Sequence, residues 1–239
     1  MKNAKAVSQE SESTSDVCPI CGGCGYIIRV DPETGERFSR ECQCEKRRQN
    51  LARIERSGLS SVLNRYTFEK YRVTDGWQKT ALEAAKRYAD GKGGEWFFAG
   101  GQSGAGKTHL CTAICGVLMN RGIPVIYMQW RSDVPGLKAK INDEEEYTRA
   151  MRRLKHVRCL YIDDFLKGGI TDADKNIAYD LLNYRYNNPG KMTIISTEMP
   201  IQKILEWDEA IGGRIVERCE GNIINIKNGK NWRLCNKKE

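Results

Sequence analysis

The sequence lacks any hydrophobic run long enough to cross a membrane. Its longest apolar stretches, Trp96 to Ala99 and Val125 to Met128, span only a few residues, whereas a membrane helix needs about twenty. The polar start, Met1 to Asp16, also lacks the apolar segment of a secretory signal. We therefore expect a cytoplasmic protein that does not contact membranes and has a disordered tail over residues 1–17.

Composition allows one medium-sized domain with a small appendage, because the chain has 239 residues of which 40% are hydrophobic. The net charge of +8 favours contact with a polyanion, but it is also common in proteins that bind no nucleic acid. Charge alone therefore does not assign a partner.

Five of the ten cysteines cluster near the N-terminus: Cys18, Cys21, Cys24, Cys42 and Cys44. The pairs Cys18-x-x-Cys21 and Cys42-x-Cys44 suit tetrahedral Zn²⁺, with Cys24 able to replace Cys21 or Cys44. Reduced, unliganded cysteines are the alternative. Residues 18–45, which include a turn at Asp31 to Gly35, are too few to fold by burial alone. We predict a structural zinc knuckle here, and we expect the other cysteines on helices and strands to be core residues.

The rest of the chain alternates strand and helix patterns after a linker over residues 46–75. The stretch Glu45 to Arg56, at the start of this linker, is compatible with a helix. The predicted strands are Glu95–Gly100, Pro124–Gln129, Arg158–Asp163, Lys191–Thr197 and Asn222–Lys227. The predicted helices are Gln78–Asp90, Thr108–Asn120, Glu144–His156, Asp174–Asn187 and Ile201–Cys219. This alternation predicts an α/β domain over residues 76–239, with a doubly wound parallel sheet.

A phosphate-binding loop lies between the first of these strands and its helix. Its residues are Gly101, Gln102, Ser103, Gly104, Ala105, Gly106, Lys107 and Thr108, which fit G-x-x-x-x-G-K-[ST]. Glycines let backbone N–H groups face phosphate oxygens, and the helix start adds positive potential. We predict that the loop and the adjoining His109 bind ATP, with Lys107 on the phosphates and Thr108 on Mg²⁺.

Two acids follow a buried strand 55 residues after Thr108, at Asp163 and Asp164. Asp163 would hold Mg²⁺, and Asp164 would act as general base toward the attacking water. A turn or helix cap is the alternative for a lone acidic pair. Ser196 to Glu198 end another strand and are candidates for sensing the terminal phosphate, although a helix N-cap before Pro200 explains them about as well.

Basic residues suggest contact with single-stranded DNA. Phe165 beside Lys167 combines an aromatic platform with a cation, which is the chemistry that binds unpaired strands. Further basic groups lie at Lys46 to Arg48, at Lys237 and Lys238, and at Arg152 to Lys155. A solvated helix face also explains the last of these.

Several motifs together resemble one family, the AAA+ ATPases of the DnaC/DnaI type that load replicative helicases, especially the versions of phages and prophages of Gram-positive bacteria. The motifs are Cys-Pro-Ile-Cys at 18–21, the basic linker, Tyr66-Thr67-Phe68, the phosphate loop, Tyr161 to Asp164, Ile195 to Thr197, Arg214 to Arg218 and Asn231 to Arg233. The resemblance covers most of residues 18–235. It implies an ATPase that oligomerises with ATP and loads a hexameric helicase onto single-stranded DNA.

The resemblance also implies roles for three arginines. Arg218 matches the arginine that reaches the nucleotide site of an adjacent subunit, and Arg214 lies one helical turn earlier. Arg233 matches a family arginine that contacts phosphate from its own chain. The alternative for each of the three is a solvated or salt-bridged surface arginine. Glu198 departs from the family, because many relatives carry Asn there.

Two rival functions remain. A transposition helper ATPase of the IstB type would share the same core, and the zinc knuckle favours the loader. A DNA-binding adaptor that binds nucleotide without hydrolysing it would keep the phosphate loop but not the turnover.

Overall fold

The computed structural model describes residues 18–32, 34–45, 48–49, 52 and 59–226. The chain divides into two compact units, Met1–Gln49 and Asn50–Glu239. Within the described ranges, no helix is both long and apolar enough to cross a bilayer. The predicted N-terminal tail and most of the predicted helix Glu45–Arg56 lie outside these ranges.

The first unit contains an antiparallel hairpin of strands β1 (Tyr26–Val30) and β2 (Arg37–Glu41). The predicted turn connects them: the Asp31 side chain accepts a hydrogen bond from the Thr34 N–H at 3.0 Å, and Gly35 has a φ of 71°. The turn was predicted from the sequence, but the two strands were not. Nearly every strand residue is exposed, so burial alternation gives no signal here.

The second unit is built on a five-stranded sheet, and all of its strand pairs are parallel. The strands are β3 (Trp96–Gly101), β4 (Val125–Gln129), β5 (Cys159–Asp163), β6 (Met192–Ser196) and β7 (Ile223–Ile226), in the order β4-β5-β6-β3-β7. The five predicted strands and the parallel sheet are confirmed, with ends that differ by at most one residue.

Helices cover both faces of this sheet. They are α1 (Ser60–Leu63), α2 (Gly76–Ala89), α3 (Lys107–Asn120), α4 (Trp130–Lys138), α5 (Glu144–His156), α6 (Asp172–Asn187), α7 (Ile201–Trp207) and α8 (Glu209–Cys219). Strand side chains alternate between two cores: Phe97 and Tyr161 pack with α2 and α3, while Phe98 and Ile162 pack with α4 to α8. Cys111, Cys115, Cys159 and Cys219 are buried, as predicted.

The prediction of one continuous helix over Ile201–Cys219 is wrong. Asp208 interrupts it with extended backbone (φ −154°, ψ 105°) and caps α8 by accepting a hydrogen bond from the Ile211 N–H at 2.8 Å. Its carboxylate also lies 2.8 Å from the Lys175 ammonium. Helix α4 was missed because Pro135 lies inside it, and proline lacks the N–H that a helix interior uses.

Candidate functional site

The phosphate loop joins the end of β3 to the start of α3 and depends on glycine at two positions. Gly101 and Gly106 have φ values of 110° and 88°, which L residues rarely adopt. A Cβ on Gly101 would collide with the backbone of Ile226 in β7, and one on Gly106 would lie 3.0 Å from the Tyr71 ring. The loop conformation therefore excludes side chains at both positions.

Lys107 lies at the N-terminus of α3 with its side chain folded along the loop. Its Nζ donates to the carbonyls of Gly101 at 2.8 Å and Gln102 at 2.7 Å. Burial lowers the pKa of Lys107, and the negative charge of Glu198 opposes that shift. The Lys107 ammonium therefore lies beside the helix N-terminus and the loop N–H groups, and all three favour binding of an anion.

The Asp163 carboxylate is the centre of a hydrogen-bond network at the end of β5. Oδ1 accepts from the Thr108 hydroxyl at 3.2 Å, from the Asp164 N–H at 3.1 Å and from the Ser196 hydroxyl. Oδ2 accepts from the Tyr127 hydroxyl at 3.0 Å. Several donors to one carboxylate hold it in a single orientation, so the structure brings together the two residues predicted to hold Mg²⁺.

The loop after β5 turns sharply at Asp164, whose φ is 52°, and at Leu166, whose φ is 59°. Phe165 between them is fully buried, and its ring packs edge-on against Trp130 with centroids 4.9 Å apart. The prediction that Phe165 offers a stacking platform for DNA is therefore wrong. Lys167 turns toward the phosphate loop and lines the same cavity as Lys107.

The three residues predicted to sense phosphate divide into two groups. Ser196 and Glu198 line the cavity. Thr197 does not, because it is buried and its hydroxyl donates to the Phe165 carbonyl at 2.7 Å. None of the three caps α7, whose N-cap residue is Pro200; the N–H of Ile201 in its first turn donates instead to the Asn225 side-chain oxygen at 3.0 Å.

A cavity of about 490 Å³ lies above the loop, within the size range of small-ligand sites. Its second wall, which was not predicted from the sequence, is formed by Arg65, Tyr66, Lys70 and Arg72. His109, which follows the phosphate loop, contacts this second wall. Its ring lies 5.0 Å from that of Tyr66, and its Nε2 is 2.8 Å from the Thr67 carbonyl oxygen. Burial lowers the pKa of His109. Apart from the motif Tyr66-Thr67-Phe68, the sequence signal for this wall is a cluster of cationic and aromatic residues without helical spacing.

The arginines of α8 lie away from this cavity. Arg218 stacks on the Tyr186 ring at 4.9 Å and lies 3.5 Å from Glu95 Oε2. Arg214 donates to Asn183 at 3.0 Å and also packs on Tyr186. Neither lines the nucleotide cavity of its own chain, and their role toward an adjacent subunit stays a prediction. Arg233 lies outside the described residues.

The first unit gathers four cysteines. The sulfurs of Cys18, Cys21, Cys42 and Cys44 lie within 4.8 Å of one another, and this donor set fits a tetrahedral metal ion. A hydrogen bond from Cys44 lowers the pKa of Cys21 to about 6, which favours a thiolate there. Cys24 lies outside the cluster, with its thiol directed at the Cys21 carbonyl at 3.0 Å, so the four sulfurs that come together are those of the two predicted pairs.

A model of the family described as IstB-like ATP binding protein matches residues 36–239. The sequence is 30% identical over 234 residues to the phage-like element PBSX protein XkdC of Bacillus subtilis strain 168, covering 91% of this chain and 85% of that protein. It is 26% identical over 197 residues to the replicative helicase loader DnaC of Escherichia coli strain K12, covering 80% and 78%.

The uncharacterized protein YqaM of Bacillus subtilis is 32% identical over 210 residues, covering 82% of this chain but 66% of YqaM. This chain thus spans slightly less than two thirds of that relative. The crystal structure of DnaI superposes with a TM-score of 0.55 at 19% identity, covering 71% of this chain and 91% of that chain. The shared architecture is the AAA+ fold.

Proposed function

The chain belongs to the IstB-like ATP-binding protein family, and from that premise we propose that it hydrolyses ATP to place a replicative helicase on single-stranded DNA. The observation that carries the ATPase part is the 3.2 Å hydrogen bond between Thr108 and Asp163. It joins the phosphate loop to the acidic strand end, and Mg²⁺-dependent hydrolysis needs both at one place.

Each residue of the site has a task that follows from its position. The loop N–H groups and Lys107 bind the phosphates, while Thr108 and Asp163 hold Mg²⁺, which when bound neutralises phosphate charge. Asp164 follows Asp163 at the open edge of the sheet and accepts the proton of the attacking water. Asp163 itself is committed to its donors, so the general base is the second acid.

Completion of the site needs a second copy of the chain. Arg218 lies on α8, away from its own nucleotide cavity, and a guanidinium supplied by a neighbour would offset charge on the terminal phosphate as bonds break. Arg214 lies one turn earlier and would support it. Hydrolysis would therefore depend on an ATP-bound oligomer.

The cysteine cluster has a structural role in this proposal. Four sulfurs leave no open position on a tetrahedral Zn²⁺, so the ion does no chemistry. Because the hairpin buries almost nothing, metal binding would supply most of its folding free energy. We propose residues 18–45 as a zinc knuckle that docks on the helicase and residues 76–239 as the ATPase domain.

Similarity to the replicative helicase loader DnaC supports the loader over its rivals, and so does the N-terminal cluster. The family description alone would equally suit a transposition helper. An adaptor that does not hydrolyse ATP would have no use for Asp164 beside Asp163.

Single-turnover hydrolysis with and without single-stranded DNA and helicase separates these functions. The loader should hydrolyse ATP and retain helicase in a pull-down. Lys107→Ala should lose the nucleotide-dependent steps, and Cys18→Ser should lose helicase binding, whereas the matched Cys24→Ser should keep both. Helicase retention by Cys18→Ser would contradict docking through the knuckle.

A further inference from the structure

Lys167 lies between two carboxylates at the mouth of the nucleotide cavity. Its Nζ is 3.0 Å from Glu198 Oε1 and 3.3 Å from Asp164 Oδ1. All three side chains line the cavity together with Lys107 and Thr108. The loop that follows β5 therefore places a second lysine, besides Lys107, next to the carboxylates of the cavity.

This lysine is held by a rigid loop. The Phe165 N–H donates to the Ser196 carbonyl at 2.9 Å, and the Lys167 N–H donates to the Asp164 carbonyl at 2.9 Å. The Phe165 ring is fully buried. Left-handed backbone at Asp164 and Leu166 is unfavourable for residues with side chains and is typically kept where function requires it.

Glu198 places a negative charge beside the phosphate loop, and Lys167 offsets it. The Glu198 carboxylate accepts hydrogen bonds from Lys167 and from Ser103 of the phosphate loop, and these bonds lower its pKa. An ionised carboxylate beside a loop that binds anions repels phosphate. The Lys167 ammonium, 3.0 Å from Glu198 Oε1, offsets that charge.

We propose that Lys167 is a catalytic residue that contacts the terminal phosphate of ATP from within the same chain, and that Glu198 is the residue that positions it. This inference rests on the proposed ATPase function. An ammonium has three N–H groups; the contacts with Glu198 and Asp164 use two of them, which leaves the third for the phosphate.

The contact serves the hydrolytic step in a defined way. Water oxygen bonds to the terminal phosphorus, the bond from that phosphorus to the bridging oxygen breaks, and the water proton passes to Asp164. The products are ADP and inorganic phosphate. Lys167 stays protonated throughout and offsets the negative charge of the terminal phosphoryl oxygens.

The test measures affinity for ADP and for a non-hydrolysable ATP analogue, with Mg²⁺, and then single-turnover hydrolysis of ATP. Lys167→Met should weaken analogue binding about tenfold while leaving ADP binding unchanged, since the loss of one charge-assisted contact is worth about a factor of ten. Hydrolysis should slow by about tenfold or more. Lys167→Arg should restore most of both, and the exposed Lys203→Met is the matched control.

The double variant Lys167→Met with Glu198→Gln separates contact from charge balance. Removing the uncompensated carboxylate should restore analogue affinity relative to Lys167→Met, but hydrolysis should stay slow because the ammonium is missing. A non-additive result of this kind reports coupling between the two residues.

Two outcomes would overturn the inference alone. In one, Lys167→Met binds analogue and ADP in the wild-type ratio and hydrolyses ATP at the wild-type rate. In the other, it weakens both nucleotides equally, as a purely structural ion pair would. A wild-type chain that binds neither nucleotide would instead reject the ATPase function on which the inference rests.

Discussion

The Thr108 hydroxyl lies 3.2 Å from Asp163 Oδ1, although 55 residues separate them in the chain. Thr108 lies in the first turn of the helix that follows β3, and Asp163 ends β5. Strand β6 lies between β3 and β5 in the sheet. A crevice forms where the chain connections on either side diverge at the carboxyl edge of a parallel sheet. The contact therefore spans the place where a phosphate chain with its metal would fit.

Substitution of Thr108 tests that contact. Thr108→Ala removes the hydroxyl and should slow Mg²⁺-dependent hydrolysis about tenfold or more, since a metal ligand and a hydrogen bond to a charged group are both lost. Thr108→Ser keeps the hydroxyl and should remain within a few-fold of wild type. Steady-state phosphate release across a magnesium titration measures both; equal rates for Ala and Ser would contradict the assignment.

Metal analysis tests the cysteine cluster. The purified chain should carry about one zinc ion, which Cys24→Ser should retain and Cys44→Ser should lose. A chelator should unfold the hairpin, because the metal supplies its folding free energy. Backbone amide exchange of β1 and β2 should rise after chelation while β3 to β7 stay protected. Full zinc content in Cys44→Ser would exclude the four-sulfur site.

Arg185 should dominate the stability of the second unit. Its buried guanidinium donates to the Thr193 hydroxyl and to four carbonyls, those of Leu154, Lys155, Val157 and Met192. Arg185→Met leaves these buried acceptors without a hydrogen-bond donor and should lower the free energy of unfolding by about 3 kcal/mol. The exposed Arg149→Met, which loses only surface ion pairs, should cost less than about 1 kcal/mol. Urea unfolding compares the two variants, and similar losses would refute the role of Arg185.

Mixing two inactive variants tests whether Arg218 acts across subunits. Arg218→Ala keeps an intact phosphate loop, and Lys107→Ala keeps an intact arginine. In a mixed oligomer, the Lys107→Ala subunit can supply its arginine to a neighbour that binds ATP. Hydrolysis should therefore reappear on mixing at a fraction of the wild-type rate. No recovery in oligomers shown to contain both variants would place Arg218 outside the neighbouring site.

Sequence patterns specified the sheet and the centre of the site because both depend on local signals. An apolar strand that ends in Asp163 can be recognised from a few consecutive residues. The same holds for the glycines before Lys107, which the turn of the phosphate loop requires. What could not be predicted depends on long-range packing. Burial of Phe165 against Trp130 is such a case, and so is the hydrogen bond from Tyr127 to Asp163. The placement of Arg65 to Arg72 against His109 has no periodic signature either.

Equilibrium binding of ATP with magnesium tests the central claim most directly. Wild-type protein should bind ATP, and binding should weaken by a factor of at least about ten in Lys107→Ala, which removes the ammonium that the phosphate loop surrounds. Lys203→Met should match wild type. If wild-type protein shows no affinity for ATP in the presence of magnesium, or if Lys107→Ala binds it equally well, the nucleotide site assigned to the phosphate loop is wrong.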